Sequence, residues 1–398
     1  MKVIILDRHP SNDARLERHM TTLRENGVVF HRYRLPRHDK SVPQPHEPEL
    51  QGIIRTPIHP KSQILFQILQ RLACLFPSTL MSVSNEGDVL NRSIEKMIIH
   101  VHDPELLGLA KHLKKKYSPS ARIVYDRHEV YESAGGLYGK IARFFEHVNK
   151  KSVDGVVGIS SYYNQTNKAL FPNSIVCAIP NYPFRSDYDT ESIENKIESI
   201  GESEDIVLSY VGSLNYHYDR DVDLLIDVFA NALELRNKVK VIIAGNPPTD
   251  RLDERLKMMV AEYDGRFEYR GFVSRDEAVS ISEMTHVGFF LLRPESKYWV
   301  KSSPNKLFEY LCTGTIAIVR AEIDADIGPE NALIFNRYAD RDSIILEVME
   351  LLKDEKRMQR MMSSAYELGK RYSYEEVQNR YIDMYDQFFS YQIQTQGQ

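Results

Sequence analysis

The sequence predicts an α/β protein built on two doubly wound parallel sheets. Short apolar stretches alternate with helical stretches through the first half of the chain, which is the pattern of a parallel sheet. The alternation begins again near Asp205, and residues 184–204 before it are polar and acidic. Because 398 residues are enough for two such domains, this acidic stretch is predicted to be the linker between them.

The first half is predicted to contain six strands, each a short run of apolar residues. They span residues 3–6, 28–33, 97–101, 122–125, 155–159 and 175–179. A helix over residues 13–26 separates the first two strands and ends at Gly27. Residues 36–60 are rich in proline, histidine and charge and are predicted to form a loop. An unusually apolar helix is predicted over residues 61–76.

One predicted helix start in the second half carries an arginine close to a glycine turn. Residues 206–211 form an apolar strand, which Gly212 and Ser213 follow. The next helix has Asp219 as its predicted N-cap, which places Arg220 in the first turn. A helix N-terminus favours anions, so a cation there indicates an anion site. The alternative is an exposed arginine balanced by the aspartates around it.

A second helix start repeats this arrangement with a lysine. Ser303 is its predicted N-cap, and Pro304 suits the first helical position. Lys306 then opposes the helix dipole, and a phosphate bound at the free amides up to Asn305 would remove the conflict. Glu309 lies one turn deeper, where a carboxylate suits the hydroxyl groups of a ribose. The alternative is a surface ion pair between Lys306 and Glu309.

Composition narrows the class of protein. Hydrophobic residues make up 42% of the chain and charged residues 27%, as in ordinary globular proteins. Apolar runs stay shorter than the roughly 18 residues of a membrane span, and the N-terminal run is predicted to be a strand and not a signal peptide. Cys74, Cys177 and Cys312 are scattered without metal-ligand spacing, which is typical of a reducing cytoplasm.

Charge is unevenly divided along the chain. Residues 1–183 carry 25 Lys and Arg against 17 Asp and Glu, a net charge of +8, whereas the remainder carries 26 against 39, a net charge of −13. The basic half indicates an anionic membrane surface or an anionic acceptor as a partner, with chance as the alternative. We expect no nucleic acid, because the chain lacks a recognisable binding motif and has a net charge of −5.

Four stretches of the second half resemble, in order, the nucleotide-binding half of retaining family 4 glycosyltransferases, which have the GT-B fold. The stretches are YVGSLNYHYDRDVDLLIDVF, VKVIIAGNPP, FEYRGFVSRDEAVSISEMTHVGFFLL and SSPNKLFEYLCTGTIAIV. The first half is more loosely similar at NDARLERHMTTLRENGVVFHRYRL, VYDRHEVYES, VVGIS and IPNYP. The resemblance implies two Rossmann-like domains facing a cleft, over residues 1–183 and 205–372. It also implies a last helix, within residues 373–398, that crosses back to the first domain.

The resemblance implies a nucleotide-diphosphate sugar as co-substrate, with UDP as the expected nucleotide, no further cofactor and no metal. Arg220 and Lys306 would stabilise the leaving diphosphate, and His128 would face the sugar. Glu309 would hold the ribose. The expected donor-binding residues are Gly212, Ser213, Gly271, Phe272, Val273, Ser303, Pro304 and Asn305.

The acceptor implied by the resemblance is a glycan or a lipid-linked precursor. Asp13, Arg15 and Glu129 are expected on the acceptor side of the site. The expected location is the cytoplasm, with peripheral attachment to the inner face of the membrane. The sequence does not predict the oligomeric state, the sugar or the linkage.

One position departs from the family pattern, which has two glutamates eight positions apart. Glu309 matches the second glutamate, but Lys301 stands in place of the first, which contacts the transferred sugar. Lys301 supports one alternative, a binding or partner subunit that lost catalysis. A second alternative is a GT-B sugar-nucleotide epimerase, which would need catalytic carboxylates in the cleft. The Asp-x-Asp spacings within residues 219–223 and at 324–326 are expected to arise by chance in an acidic domain, without a metal.

Overall fold

The computed structural model divides the chain into two compact units. Unit 1 comprises Met1–Pro180 with Val377–Gln398, and unit 2 comprises Asn181–Glu376. The structure describes residues 1–9, 13–35, 50–55, 70–76, 82–83, 96–132, 136–200, 205–214, 220–246, 249–296, 299, 301 and 303–394.

Both units are built on strands that are mostly short and buried. The strands of unit 1 are Lys2–Asp7 (β1), Val29–Arg34 (β2), Leu50–Arg55 (β3), Ser82–Val83 (β4), Met97–Val101 (β5), Arg122–Arg127 (β6), Gly155–Gly158 (β7) and Ile175–Ala178 (β8). Those of unit 2 are Ile206–Val211 (β9), Val239–Ala244 (β10), Phe267–Tyr269 (β11), Val287–Leu291 (β12), Ile316–Arg320 (β13) and Ala332–Ile334 (β14).

Helices connect most successive strands. They span Ala14–Glu25 (α1), Leu107–Tyr117 (α2), Gly136–Asn149 (α3), Asn164–Leu170 (α4), Thr190–Ser199 (α5), Val222–Leu235 (α6), Asp250–Glu262 (α7), Arg275–Met284 (α8), Asn305–Cys312 (α9), Arg341–Lys353 (α10), Glu355–Gly369 (α11) and Arg380–Gln394 (α12). The last of these, α12, belongs to unit 1, although all the residues between Asn181 and Glu376 belong to unit 2. The predicted return of the last helix to the first domain is therefore confirmed.

The sheet of unit 1 has the order β4-β3-β2-β1-β5-β6-β7-β8. Neighbouring strands are parallel except for the antiparallel pair β3 and β4. Fully buried side chains such as Ile4, Ile99 and Ile123 form its core with α2. The order reverses between β1 and β5, and in such sheets ligands bind at the carboxyl ends of the strands next to the reversal.

The sheet of unit 2 has the order β11-β10-β9-β12-β13-β14, and its neighbouring strands are parallel. Its core joins the strands to the apolar side of α6, where Leu225 and Phe229 are buried. The order reverses between β9 and β12, so the carboxyl end of β9 is the expected ligand position. The α/β class and the parallel sheets predicted from the sequence are confirmed.

Residues 184–204, which the sequence predicts to be a linker, contain the helix α5 in the structure. Ile193 and Ile197 are buried in the core of unit 2. The Lys196 ammonium is also buried and donates to the carbonyl oxygens of Thr285 and Thr313, both at 2.7 Å. A few apolar residues at helical spacing were hidden among many charges, so the acidic composition of this stretch was misleading.

Several predicted bounds of helices, strands and loops differ from those of the structure. Strand β3 lies inside the predicted loop at residues 36–60, where it pairs with β2. The predicted apolar helix is confirmed as helical over residues 70–75, and its residues 61–69 lie outside the described ones. The last helix begins at Arg380, after a short 3-10 turn, and not directly after residue 373. No helix in the described part of the chain is both long and apolar enough to cross a membrane.

Candidate active site

Three glycines end three neighbouring strands of unit 2. Gly212 follows β9, Gly245 follows β10 and Gly271 follows β11, with φ of 148°, 149° and 61°. The Gly245 amide donates to the Gly271 carbonyl at 2.6 Å, and a Cβ on Gly245 would overlap the Gly212 carbonyl oxygen. The Tyr210 hydroxyl donates to the Ser213 carbonyl at 2.8 Å, which fixes the turn after β9. The close approach of the Gly245 and Gly212 backbones therefore leaves no room for a side chain on Gly245 at this edge of the sheet.

The Lys306 ammonium lies at this glycine edge. Its Nζ is 4.1 Å from the centroid of the Tyr210 ring, a cation–π contact, and a Cβ on Gly212 would overlap it. Among the described residues, the ammonium makes no ion pair and no hydrogen bond. Burial lowers the pKa of Lys306 to about 7, Glu309 opposes that shift and Arg220 adds to it. A bound anion would supply the missing negative charge.

Arg220 lies beside the same edge, but not where the sequence placed it. Asp221 and not Asp219 caps α6, because its carboxylate accepts from the Leu224 amide at 3.1 Å, so Arg220 precedes the helix. The Arg220 guanidinium carbon is 4.3 Å from the centroid of the Phe290 ring, and its backbone pairs with Leu292 just after β12. Arg220 therefore sits on the rim of the sheet at the reversal of strand order.

The first two amides of α9 make no hydrogen bond with a described residue. The N-cap is Pro304 and not Ser303, so the helix begins at Asn305, one residue later than predicted. The first amides of a helix have no i−4 partner inside it, and here only the third, that of Leu307, donates, to the Pro304 carbonyl at 3.1 Å, among the described residues. The Glu309 carboxylate is half-buried and makes no hydrogen bond or ion pair with a described residue. The alternative Lys306–Glu309 ion pair is not formed.

The Gly271-Phe272-Val273 turn places an aromatic ring at the surface. Val273 packs against the small apolar cluster around Ile242, whereas the Phe272 side chain is 75% exposed. An exposed phenylalanine next to a glycine-lined sheet edge can stack on a flat heterocycle.

The acidic Asp-x-Asp spacing after β9 serves the fold. The Asp221 carboxylate pairs with Arg320 and Arg341 in addition to capping α6. Asp223 pairs with two further arginines of unit 2, and Asp219 lies outside the described residues. The described carboxylates of this stretch are therefore occupied by arginines.

In unit 1, His128 follows β6 at the carboxyl edge of the sheet. Its Nε2 is 2.9 Å from Nδ1 of His102, and the His9 ring stacks on it with centroids 4.6 Å apart. Burial lowers the pKa of His128 to about 4, although Asp126 opposes the shift. The imidazole is therefore neutral at pH 7.

The residues expected on the acceptor side have different surroundings. Asp13 caps α1 and pairs with His9 at 3.0 Å. Arg15 is buried and pairs with the buried Asp126 at 2.7 Å, so its charge is used inside unit 1. Glu129 is exposed directly after His128.

Two groups of described residues bring three potential metal ligands within 4.8 Å of one another. One is His19, His100 and His102, and the other is His102, Asp126 and His128. Hydrogen bonds from ring to ring, or from ring to a tyrosine hydroxyl, account for the spacing of the histidines. We therefore assign no metal to them.

Comparisons with known proteins agree with the fold. Residues 205–354 match the family model described as Glycosyl transferases group 1, whereas no curated protein matches the chain. Sucrose-phosphate synthase from Thermosynechococcus elongatus has a TM-score of 0.69 at 14% identity, covering 98% of this chain and 99% of that one. Anabaena HepE with UDP and glucose has a TM-score of 0.64 at 12% identity, covering 97% and 100%.

A further structure gives the same result. Trehalose 6-phosphate synthase from Burkholderia multivorans has a TM-score of 0.64 at 12% identity, covering 100% of this chain and 98% of that one. Identities this low show the shared fold alone. The chain therefore has the two-domain GT-B fold, and residues 205–354 of its second half match the glycosyl transferases group 1 model.

Three residues that contact the candidate site residues were not predicted from the sequence. Gly245 carried the same signal as Gly212, a glycine directly after an apolar strand. Tyr210 lies in an apolar strand that is predicted to be part of the core, and no neighbouring residue in the sequence indicates that its ring contacts a cation. Tyr385, on α12, is distant in sequence from the histidines that it contacts, so no local pattern could have found it.

Proposed function

We propose that unit 2 binds a nucleotide-diphosphate sugar and that the protein transfers the sugar to an acceptor. The observation that carries this proposal is the Lys306 ammonium, held against Tyr210 and Gly212 without an ion pair among the described residues. A diphosphate would neutralise it and accept hydrogen bonds from the first amides of α9. The family match of residues 205–354 supports glycosyl transfer, and the UDP bound by HepE supports UDP as the first nucleotide to test.

We infer that Arg220 and Lys306 stabilise the leaving group. As the bond between the anomeric carbon and the phosphate oxygen breaks, negative charge builds on the diphosphate. The acceptor oxygen bonds to the anomeric carbon from the face that the phosphate leaves, and its proton passes to a phosphate oxygen. Configuration is thereby retained without a protein nucleophile. Glu309 would hold the ribose and Phe272 would border the base.

Three outcomes separate this proposal from its alternatives. UDP, GDP, ADP, CMP and their common sugar conjugates are screened by thermal shift, where a ligand at about 100 times its Kd adds roughly 2.7 kcal/mol of stability. A transferase slowly hydrolyses the sugar nucleotide that it binds, and an epimerase interconverts it. A partner subunit, the reading favoured by Lys301, does neither. Absence of a shift with every nucleotide would contradict the proposal.

We further infer that the acceptor is a glycan or lipid-linked precursor at an anionic membrane surface, on the cytoplasmic side. One side of α3 exposes apolar and basic residues at helical spacing. The apolar ones are Leu137, Phe144 and Val148, and the basic ones are Lys140, Arg143 and His147. The single acidic residue of α3, Glu146, is buried and paired with Arg127 at 2.6 Å. A face of this composition suits the surface of an anionic bilayer.

Sedimentation with vesicles tests this surface. The protein should sediment with phosphatidylglycerol vesicles at low salt and not with phosphatidylcholine alone. Phe144→Asp should lower the bound fraction about tenfold, since it removes a ring that would enter the bilayer and adds a charge that the anionic surface repels. Leu346→Asp is the matched control, because Leu346 is 61% exposed on α10 of unit 2. Equal binding of the two variants would remove α3 as the membrane surface.

A further inference from the structure

A continuous chain of hydrogen-bonded rings runs through unit 1 from His128. The His128 Nε2 is 2.9 Å from the His102 Nδ1, and the His102 Nε2 is 3.1 Å from the His19 Nδ1. The Tyr385 hydroxyl lies 2.8 Å from the His19 Nε2 and 2.6 Å from the His100 Nδ1. All members beyond His128 are buried. The chain thus joins the carboxyl ends of β5 and β6 to the C-terminal helix.

If all four imidazoles are neutral, these hydrogen bonds can be directed in two ways. In each of them the Tyr385 hydroxyl donates to one ring and accepts from another. A neutral imidazole has one N–H and one acceptor nitrogen, so the tautomer of one ring fixes that of the next. In the first arrangement every histidine carries its proton on Nε2, and the His128 Nδ1 is an acceptor. In the second every histidine carries its proton on Nδ1, and His128 presents an N–H instead. The difference decides what kind of group His128 can bind.

The Asp126 carboxylate favours the first arrangement. Its oxygens lie 3.7 Å from the His100 Nε2, 3.8 Å from the His102 Nδ1 and 3.9 Å from the His128 Nε2. The contributions of His102 and His128 offset each other, because each has its N–H toward the carboxylate in only one arrangement. His100 decides, since its Nε2 is buried without a hydrogen-bond partner. In the second arrangement its lone pair would face the carboxylate, which is repulsive.

We propose that these rings form a positioning relay that holds His128 as the Nε2–H tautomer, so that its Nδ1 accepts a hydrogen bond from a substrate hydroxyl. The His128 Nδ1 makes no hydrogen bond with a described residue, which leaves it available. The identity of that hydroxyl, on a sugar or its acceptor, rests on the proposed function, whereas the tautomer does not. Tyr385 acts through His19 and His100, so the C-terminal helix sets the chemistry of His128.

Nitrogen-15 NMR of the full chain labelled at histidine tests the relay directly. Two-bond correlations between ring nitrogens and carbon-bound protons distinguish the two tautomers, and His128→Gln assigns the His128 signals. At pH 7 the relay predicts an acceptor-type Nδ1 and a protonated Nε2 for His128. A protonated Nδ1 would overturn it. Because no substrate is needed, this result is independent of whether the protein binds nucleotide sugars.

Removal of one hydroxyl tests the link to the C-terminal helix. In Tyr385→Phe the outer rings lose their connection to His100, so the His128 Nδ1 resonance should shift from the acceptor type towards a mixture of tautomers. Tyr125→Phe is the matched control, since this buried hydroxyl of unit 1 donates to Glu146 at 3.2 Å outside the relay. An unchanged His128 Nδ1 resonance in Tyr385→Phe would overturn the relay. Binding of one zinc ion per chain would also overturn it, because the rings would then be metal ligands.

Discussion

The carboxyl edges of the two sheets handle charge in opposite ways. In unit 1 buried charges pair with one another, as Arg32 does with Asp7 at 2.7 Å and Arg15 with Asp126 at 2.7 Å. In unit 2 the edge is lined by glycines, and the Lys306 ammonium contacts the Tyr210 ring without forming an ion pair with any described residue. The first edge is neutralised by the protein itself. The second leaves positive charge for a ligand, and this asymmetry is the basis for assigning the diphosphate to unit 2.

The largest expected effect is the loss of a buried pair in unit 1. Arg15→Ala leaves the Asp126 carboxylate buried with less compensation and should lower the free energy of unfolding by about 3–5 kcal/mol. Chemical denaturation measures it. Arg24→Ala is the control, because Arg24 pairs with Glu17 at the surface and should cost less than about 1 kcal/mol. Similar losses in both variants would mean that unit 1 does not depend on its internal pairs.

A pH titration of stability should show the neutral histidines of unit 1. The pKa of His128 is about 4 in the folded protein and near 6.5 when unfolded, so the unfolded state binds more protons between these values. The free energy of unfolding should therefore fall as the pH drops from 6.5 to 4, by about 3 kcal/mol for His128 alone. His128→Gln should flatten the curve by that amount. Parallel curves for the two proteins would contradict a His128 ring that is neutral in the folded protein.

A glycine substitution tests the close backbone packing at the glycine edge of unit 2. Gly245→Ala should lower the free energy of unfolding by about 2–3 kcal/mol, because φ is 149° and the new Cβ would overlap the backbone of Gly212. Gly265→Ala is the matched control with φ of 68° and no heavy atom within 4 Å of a new Cβ. It should cost about 1 kcal/mol. Equal losses would show that the backbones of Gly245 and Gly212 do not approach each other closely.

Features carried by local sequence were predictable. Strand β9 with its glycine, and the lysine that opposes the dipole of α9, follow from apolar runs and helix-start residues close together in the chain. The position of Arg220 was not predictable, because two aspartates compete as the cap and Asp221 also pairs with Arg320 and Arg341 across the unit. The choice depends on contacts between residues far apart in sequence.

The histidine relay shows the same limit in unit 1. Its members come from four separate segments, and each histidine taken alone is as well explained by ordinary burial. Only the fold shows that His100 and His102 meet Tyr385 and His19. By contrast, α5 was missed although its signal was local, because Ile193 and Ile197 are surrounded by charges.

The most direct test of the account is a calorimetric titration of the protein and of Lys306→Ala with UDP. Loss of the ammonium should weaken binding by about 1.5–3 kcal/mol, as for a charged hydrogen bond, which is roughly a 10- to 150-fold rise in Kd. Lys257→Ala serves as the control, since Lys257 is exposed and pairs with Asp253 on α7. Weakened binding in Lys306→Ala alone would support a diphosphate site at the glycine edge of unit 2. Equal affinity of Lys306→Ala and the unmodified protein would contradict it.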